Sequence, residues 1–402
     1  MAAAVLIACA GAAAAQRAPQ DYPQWRGLNR DGAASAFVEP ASWPDTLTRK
    51  WKVDVGEGYA TPLVVDDVLY LFTRRNGSEV MTALRADTGR ELWHTSYAAP
   101  YKPETPAAAH GVGPKATPLF HDGRLYTLGI TGIFSAFDAT TGKLAWQTPA
   151  AAEHPSYGVS VSPVADGNLV IVHPGNHGPL TAFDVGSGAI KWTSGERGAY
   201  ASPMIVDLDG VRQVVTMTQE NVLGVSLTDG RRLWEHPWRS RASTPSAMTP
   251  ILYRGMVIVS SQAMGVAALK PARRGDAWAV DVAWATRDVS IFLSNPVIVG
   301  DTLFGLSDRA RGQFFALDAN SGKVLWLGPP RQASNTAVVK AGSVLFLLDD
   351  DGELIVARSS RKGFEPLKRY TVADSATWAQ PAVSGHRIFV KDATSLSLWT
   401  LP

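Results

Sequence analysis

The chain has 402 residues, a formal net charge of +2, 18% charged residues and 46% hydrophobic residues. This composition excludes an intrinsically disordered chain, because disorder goes with low hydrophobicity and high charge. A charge so close to zero, without a basic run, gives no reason to expect a nucleic-acid partner.

The N-terminus, MAAAVLIACAGAAAAQ, is short and apolar and ends in small residues. Ala13 and Ala15 have the spacing of a signal-peptidase site, so residues 1–15 are predicted to be a signal peptide and the protein is expected to be periplasmic or secreted. The stretch LIAC, ending at Cys9, also fits a lipobox, so a lipid anchor is one alternative and no export signal is another. Cys9 is the only cysteine, which predicts a mature chain without disulfides. No other segment is long and apolar enough to span a bilayer.

Residues 16–47 form an extension that precedes the repeats. Trp25, Arg26, Phe37 and Trp43 make it too apolar for a free tail. We expect it to pack against the side or a face of the following domain, and the sequence leaves open whether it blocks or builds a site.

A short marker, a small or polar residue followed by proline, recurs eight times along the chain and precedes an apolar strand each time. Two β-rich runs joined by a polar turn follow it, then a third run and a tryptophan-containing strand, which predicts four strands per period of about 44 residues. That pattern is typical of propeller blades. The markers end at Pro62, Pro118, Pro163, Pro203, Pro250, Pro296, the proline-free Ala337, and Pro381.

The turn before the tryptophan is clearest in AFDATTGKLAW. Asp138 can accept hydrogen bonds from backbone amides two residues on, Gly142 can adopt positive φ, and Trp146 offers a large apolar face for packing between blades. Two departures stand out: Leu367 takes the tryptophan position in the seventh copy, and either Trp278 or Trp284 is the equivalent in the fifth. The other motif positions are Gly89, Trp93, Asp184, Gly188, Trp192, Gly230, Trp234, Asp318, Gly322 and Trp326.

The two chain ends complement each other. Trp51 lies in RKWKVD, an outer strand with no repeat before it, and the last repeat stops at SLSLWTLP without an outer strand. We therefore predict an all-β fold over residues 48–402: an eight-bladed β-propeller of four-stranded antiparallel blades, closed by the N-terminal strand joining the C-terminal blade.

The AxDxxTGxxxW turns and the x-[ST]-P markers resemble those of the PQQ-like β-propeller repeat proteins, over about 350 residues from Lys50 onward. That family includes quinoprotein dehydrogenases, which bind the quinone PQQ and calcium. It also includes non-catalytic scaffolds such as the outer-membrane protein assembly lipoprotein. The stretch PQWRGLNRDG, together with the insertion in the fifth repeat, is similar to an exported bacterial branch of the family.

Departures from the dehydrogenase pattern favour the scaffold. The chain lacks the adjacent cysteines of many such enzymes, eight blades use nearly all its residues, and no Glu/Asn/Asp set matches the calcium and base positions. We predict no catalytic residue, no metal ligand and no cofactor, with PQQ and calcium as the alternative.

Three other groups of residues are alternative candidates for a functional site. His173 and His177 have i,i+4 spacing but fall in a turn between strands, which favours polar loop histidines over metal ligands. The acidic run from Asp349 to Glu353 lacks the alternating spacing of a calcium loop. Arg309 and Arg311 lie in a turn between second and third strands, and the sequence leaves open which side of the ring that turn occupies.

The strongest binding candidates precede the markers. In a propeller the innermost strands line the central channel, so residues just before them gather at one mouth. Tyr59, Lys115, Tyr200 and Trp378 lie three residues before a marker proline, and Phe292 lies four before one. Aromatic and cationic groups at a mouth suit a carbohydrate, a peptide or an anionic ligand. The alternative is that they only pack against neighbouring loops.

The leading hypothesis is an exported, non-enzymatic propeller that binds a protein or cell-envelope ligand through one face. A PQQ- and calcium-dependent oxidoreductase and a sensor of small ligands or polysaccharides are the alternatives.

Overall fold

In the computed structural model, which describes residues 18–240 and 246–402, the chain forms eight four-stranded sheets. Seven of the innermost strands begin at the residue after a marker proline, and the eighth begins at Thr336, beside the proline-free marker. Proline is tolerated there because it has no N–H to donate and an innermost strand pairs on one side only. The predicted signal peptide, with Cys9, lies outside the described residues.

The first strand, β1, runs from Thr48 to Asp54, and blades 1 to 7 follow in chain order. Blades 1 to 3 consist of β2–β5 (Leu63–Val65, Val68–Arg75, Ser78–Arg85, Glu91–Ala98), β6–β9 (Leu119–His121, Arg124–Leu128, Phe134–Asp138, Leu144–Gln147) and β10–β13 (Val164–Asp166, Leu169–Val172, Leu180–Asp184, Ile190–Ser194). Blades 4 and 5 consist of β14–β17 (Met204–Leu208, Val211–Met217, Asn221–Ser226, Arg232–Pro237) and β18–β21 (Ile251–Tyr253, Met256–Ser261, Gly265–Arg274, Ala277–Thr286). Blades 6 and 7 consist of β22–β25 (Val297–Val299, Thr302–Ser307, Gln313–Asp318, Val324–Leu327) and β26–β29 (Thr336–Ala341, Val344–Asp349, Glu353–Arg358, Pro366–Thr371).

Helical structure in the described residues is confined to two short 3-10 segments, Thr105–His110 and Arg309–Arg311. Neither they nor any other helix of residues 18–240 and 246–402 has the length and apolarity needed to cross a membrane.

Blade 8 is built from both ends of the chain. Its strands β30 (Ala382–Ser384), β31 (Arg387–Lys391) and β32 (Ser395–Thr400) are completed by β1 as the outermost strand. β1 pairs antiparallel with β32, with Trp51 opposite Leu398 and Asp54 opposite Ser395. The predicted fold and the predicted ring closure are confirmed.

The apolar core is divided among the interfaces between blades. Each apolar cluster of the described residues joins two neighbouring sheets, and the one at the closure packs Leu71 and Leu84 of blade 1 against Phe389 and Leu398 of blade 8. Because every blade needs both neighbours to cover its faces, an open ring would expose two apolar sheet surfaces.

The repeated tryptophan seals the turn of the next blade. Trp146 donates from Nε1 to Val185 O at 3.1 Å, and a Cβ at Gly188 (φ 71°) would lie 2.6 Å from the indole ring. Glycine is therefore required twice over, for the positive φ and for the close approach of the ring. The same contact joins Trp51 to Gly89, Trp93 to Gly142, Trp192 to Gly230 and Trp284 to Gly322.

Blade 5 departs from the pattern because β20 and β21 extend beyond the blade as a long hairpin. Trp284 is the repeat equivalent, since it faces Ala268 beside the strand bulge, whereas Trp278 lies in the extension. No turn glycine lies under the preceding tryptophan, Trp234, which donates instead to Gln213 Oε1 of its own blade at 2.6 Å.

The assignment of Leu367 to the tryptophan position is wrong. The turn before β29 is closed by a hydrogen bond from Arg358 N–H to Glu365 O and is longer than the regular turns, so Lys368 occupies that position. In blade 8 the two outermost strands, β32 and β1, are not consecutive in the sequence. No turn connects them directly, so no turn glycine lies under Lys368. Lys368 instead forms an ion pair with Asp45 of the extension at 2.7 Å.

Candidate functional site

The extension crosses the central channel. Tyr22 forms backbone hydrogen bonds with Val64 of β2, Pro23 O accepts from Phe120 N of β6, and Ala34 N donates to Lys340 O of β26. Residues 22–34, called the channel segment below, therefore reach innermost strands of blades 1, 2 and 7.

Two buried arginines tie the channel segment to blades 3, 4 and 6. Arg30 donates to Pro163 O and Pro203 O, both at 2.9 Å, and Arg26 donates to Pro296 O at 2.6 Å. The two side chains are 5% and 1% exposed. Burial lowers the pKa of Arg26 to about 10 and that of Arg30 to about 9. Both stay protonated at neutral pH and supply the donors that these buried carbonyl groups need.

The serine or threonine of the marker forms a belt around the channel. Thr61 N–H donates to Thr117 Oγ1 at 3.3 Å, Thr117 N–H to Ser162 Oγ at 2.9 Å, and Ser162 N–H to Ser202 Oγ at 2.9 Å. Each hydroxyl thus satisfies a buried backbone donor of the preceding blade, which gives the serine or threonine before the proline a structural role in blades 2 to 4.

A cavity of about 260 Å³ lies beside the channel segment, on the face where the innermost strands begin, called the mouth face. The structure brings all five candidate residues, Tyr59, Lys115, Tyr200, Phe292 and Trp378, into its lining. Their common position explains this convergence, because the connections between blades approach the channel along similar paths. The residue three before the marker lines the cavity in seven blades: Tyr59, Lys115, Ser160, Tyr200, Ala247, Leu293 and Trp378.

Aromatic rings form a continuous row across the cavity. The His110 ring lies edge-on to Trp378 at 4.8 Å between centroids and 5.9 Å from Tyr157. Tyr157 is 6.4 Å from Tyr200, which contacts His177 at 4.6 Å. This arrangement presents flat apolar surfaces to a ligand.

Among the lining residues that sequence reasoning missed are three with aromatic rings, His110, Tyr157 and Trp25. His110 ends the 3-10 segment in the long connection between blades 1 and 2, and the unusual length of that first interval was the available signal. Trp25 belongs to the channel segment and donates from Nε1 to Thr249 Oγ1 at 3.2 Å. Its apolar side chain indicated that the extension packs on the propeller, but no repeat pattern covers the extension, so the position of Trp25 in the cavity could not be predicted.

Among the described residues that line the cavity, Lys115 is the only lysine or arginine, and none is Asp or Glu. Its Nζ donates to Tyr157 O at 2.5 Å, and burial lowers its pKa to about 8. Burial, with a smaller effect of Lys115, also lowers the pKa of His110. A cation without a carboxylate partner in a largely apolar cavity attracts an anionic group.

A second, more open groove of about 640 Å³ adjoins the cavity and shares Tyr157 and Tyr200 with it. Its wall carries charges of both signs, including Glu104, Glu153 and Arg197. The mouth face therefore offers a small aromatic cavity that continues into a polar groove.

The turn that holds Arg309 and Arg311 also lies on the mouth face. Ala310 O accepts from Arg331 N–H and Gly312 O accepts from Gln332 N–H, which links the turn to the connection between blades 6 and 7. Strands alternate in direction, so a turn between second and third strands returns to the face where the first begins. Both arginines are exposed and neither lines the cavity.

His173 and His177 do not form a joint site. His173 is buried, with Nδ1 2.9 Å from Gly178 O and Nε2 2.8 Å from Thr216 Oγ1, and burial lowers its pKa to about 4. Both its nitrogens have partners within the protein, whereas His177 lies at the groove.

Three carboxylates of the acidic run around Asp349 have hydrogen-bond or ion-pair partners within the protein. Asp349 accepts from Thr336 Oγ1, Asp350 from the backbone of Asn335 at 3.1 Å, and Glu353 pairs with Arg369 at 2.5 Å. Across residues 18–240 and 246–402, no three His, Cys, Asp or Glu side chains come together as metal ligands.

A calcium-held quinone does not fit the mouth cavity. Calcium takes six to eight oxygen ligands, usually with carboxylates among them, and the described residues of this lining include no carboxylate. The channel axis, the other place for a planar ring, is crossed by Arg26 and Arg30 of the channel segment.

A model of the family described as "Outer membrane protein assembly factor BamB" matches residues 76–327. The chain is 24% identical over 333 residues to that assembly factor of Yersinia pestis, covering 78% of this chain and 68% of the relative. It is 33% identical over 147 residues to the dehydrogenase subunit of the quinone alcohol dehydrogenase of Komagataeibacter europaeus, covering 33% of this chain. That alignment spans only 19% of the enzyme's length.

Solved structures show the same fold. BamB from Moraxella catarrhalis superposes with a TM-score of 0.66 at 17% identity, covering 89% of this chain and 98% of that one. The quinohemoprotein alcohol dehydrogenase ADHIIG from Pseudomonas putida HK5 superposes with a TM-score of 0.64 at 14% identity, covering 95% and 80%. The predicted resemblance is confirmed, and both branches of the family share this propeller.

Proposed function

Because the chain belongs to the propeller family described as outer membrane protein assembly factor BamB, we propose that it is an exported, non-enzymatic protein that binds a protein or cell-envelope ligand through its mouth face. The similarity to the Yersinia pestis assembly factor extends over 78% of the chain. A part in the assembly of outer membrane proteins is the more specific form of this proposal.

The convergence of five separate connections on one cavity carries the proposal. Tyr59, Lys115, Tyr200, Phe292 and Trp378 come from different places in the sequence and surround a shared volume. Side chains that served only to pack their own loops would have no reason to leave that volume between them. A concave, mostly apolar site with a few polar groups is the usual form of a ligand site.

The quinone-dependent oxidoreductase remains the alternative, because the relatives include quinone alcohol dehydrogenases. The described residues that line the cavity include no carboxylate to hold calcium, which supports a function without this cofactor. Purified protein mixed with PQQ and Ca²⁺ should bind no quinone and should not reduce a dye in the presence of alcohols. Stoichiometric quinone absorbance retained after gel filtration, with dye reduction, would establish the enzyme instead.

Export is proposed from the apolar N-terminus. Expression of the full chain in a Gram-negative host should give a periplasmic protein that begins at Gln16. A mature chain that begins at a lipidated Cys9 would show the anchored form, and an uncleaved cytoplasmic chain would contradict export.

The experiment for the binding function compares capture of partners from a cell-envelope extract. Tyr59→Ala combined with Trp378→Ala removes two cavity walls, whereas Leu144→Ala combined with Ile190→Ala removes two exposed apolar side chains from outer strands. We expect the first pair to lose the captured partner and the second to retain it, with melting temperatures within a few degrees of wild type. Equal capture by both pairs would remove the mouth face from consideration.

A further inference from the structure

The mouth cavity presents several hydrogen-bond donors, and the described residues of its lining include no carboxylate. Asn295 Oδ1 accepts from Thr249 N–H, and Asn335 Oδ1 accepts from Ser294 Oγ, whose own oxygen accepts from Thr336 N–H. Backbone N–H groups can only donate, so the bond from Thr249 fixes the orientation of the Asn295 amide. Its Nδ2 group therefore remains for a ligand, and so does that of Asn335 while the Asn335 oxygen accepts from Ser294.

Further donors complete the set. Ser160 and Ser202 line the cavity, and a hydroxyl that accepts from a backbone N–H, as Ser202 does from Ser162, still has a proton to donate. Lys115 adds an ammonium group. A ligand that matches this lining is rich in acceptor oxygens and carries a negative charge.

The aromatic walls and the small volume of the cavity favour a ligand with a single ring. Trp25, Tyr59, Tyr200 and Trp378 line a volume of about 260 Å³, which is small beside the roughly 300–1,000 Å³ of cavities for drug-sized ligands. One six-membered ring with its substituents suits this size. The apolar C–H face of a pyranose packs on aromatic rings, while its edge carries the oxygens that the donors require.

We propose that the mouth cavity is a subsite for one hexuronate residue, whose sugar ring stacks on the aromatic walls and whose carboxylate binds Lys115. This inference rests on the proposed binding function and names its ligand class. The adjoining groove, which shares Tyr157 and Tyr200, gives room for the next sugars of an acidic polysaccharide.

A peptide segment fits the same lining less well. Each peptide unit brings an N–H donor into a lining whose described residues include no carboxylate to accept it. A donor that loses water without gaining an acceptor costs free energy. Sugar hydroxyls avoid this cost because each accepts as well as donates.

Binding should depend on pH through Lys115, because only its protonated form attracts a carboxylate. Burial lowers its pKa to about 8 in the free protein, so affinity should fall as pH rises from 7 to 9. The other titratable side chains that face it are His110, Tyr59, Tyr157 and Tyr200. Burial lowers the pKa of His110 and raises the pKa of Tyr59, and it raises that of Tyr200 to about 12, so these three stay neutral over that interval.

The test is calorimetric titration of the full chain with D-glucuronate and D-galacturonate, with D-glucose and D-galactose as neutral counterparts and benzoate as a flat carboxylate. At least one uronate should bind about tenfold more tightly than its neutral counterpart, because the charged hydrogen bond is lost with the carboxylate. Absence of uronate binding, equal affinity for the neutral sugars, or stronger binding of benzoate would overturn the assignment.

Two lysine variants locate the interaction. Lys115→Met should weaken uronate binding about tenfold and abolish its decline between pH 7 and pH 9. Lys143→Met, at an exposed lysine in a turn on the opposite face, should leave both unchanged. Unchanged affinity in Lys115→Met would overturn the proposal. The result of the uronate titration is independent of the partner-capture experiment. Capture can depend on Tyr59 and Trp378 even if no uronate binds, so failure of the uronate proposal would leave the proposed binding function standing.

Discussion

Trp51 lies across Gly89 of the neighbouring blade: a Cβ at Gly89 would be 3.0 Å from the indole ring, whose Nε1 donates to Ala86 O at 3.2 Å. The contact joins a strand at the beginning of the chain to blade 1, while β1 itself completes blade 8. The closure of the ring therefore depends on sheet pairing on one side of β1 and on a tryptophan seal on the other.

Removal of residues 46–55, which contain β1, should lower the melting temperature sharply. The deletion leaves β32 as an unpaired edge and uncovers the turn of blade 1. Thermal unfolding followed by circular dichroism measures the effect, and an unchanged melting temperature would contradict closure by β1.

Trp51→Ala tests the seal without removing the strand. We expect a loss of about 2–3 kcal/mol in the free energy of unfolding, somewhat less than for a fully buried tryptophan. Trp278→Ala is the matched control, because Trp278 is also half-buried but lies in the hairpin extension of blade 5. Equal losses in urea denaturation would show that the seal contributes nothing beyond ordinary packing.

Much of the mouth cavity could be predicted because the marker acts as a fixed reference point. Thr61, Thr117 and Ser162 hold the ends of successive connections in one hydrogen-bonded belt, so residues at the same distance before the marker face the same way. Tyr59 and Trp378 were found by this rule, although Pro62 and Pro381 are far apart in sequence.

The rest lay where no repeat governs the path of the chain. His110 and Tyr157 belong to connections of unequal length, and Trp25 to an extension whose direction is set by its own contacts. The spacing from the turn glycine also predicted the wrong residue in blade 7, where Leu367 was assigned to the tryptophan position. The turn there is longer than in the other blades, so Lys368 instead lies opposite Val356. Counting from a glycine is reliable only while the turn keeps its length.

Arg30→Met should lower the free energy of unfolding by about 3 kcal/mol, because it leaves buried carbonyl oxygens of blades 3 and 4 without a donor. Arg30→Lys should restore only part of this, since one ammonium group cannot reproduce the planar fork that bonds Pro163 O and Pro203 O together. Arg309→Met, at an exposed position on the same face, is the control and should match wild type in urea denaturation. A loss as large as that of Arg30→Met in the control would contradict the bracing role.

Asp349→Asn should change how stability varies with pH. Burial raises the pKa of Asp349 to about 7 in the folded protein, well above its ordinary value of about 3.9 in an unfolded chain. A group with a raised pKa contributes stability below its unfolded pKa, and that contribution is lost as pH rises through the folded pKa. Wild type should therefore lose about 2–3 kcal/mol relative to Asp349→Asn between pH 5 and pH 8. Parallel stability curves for the two proteins would show that Asp349 stays ionised throughout.

Site-specific photocrosslinking tests most directly whether the mouth face is the binding face. A photoreactive phenylalanine analogue is placed at Tyr59 or Phe292 in the cavity, or at the exposed Leu327 and Val282 on outer strands, in cells that export the protein. The proposed function predicts that both mouth positions crosslink an envelope component after irradiation and that both outer-strand positions do not. Adducts from Leu327 or Val282 with none from Tyr59 and Phe292 would contradict it.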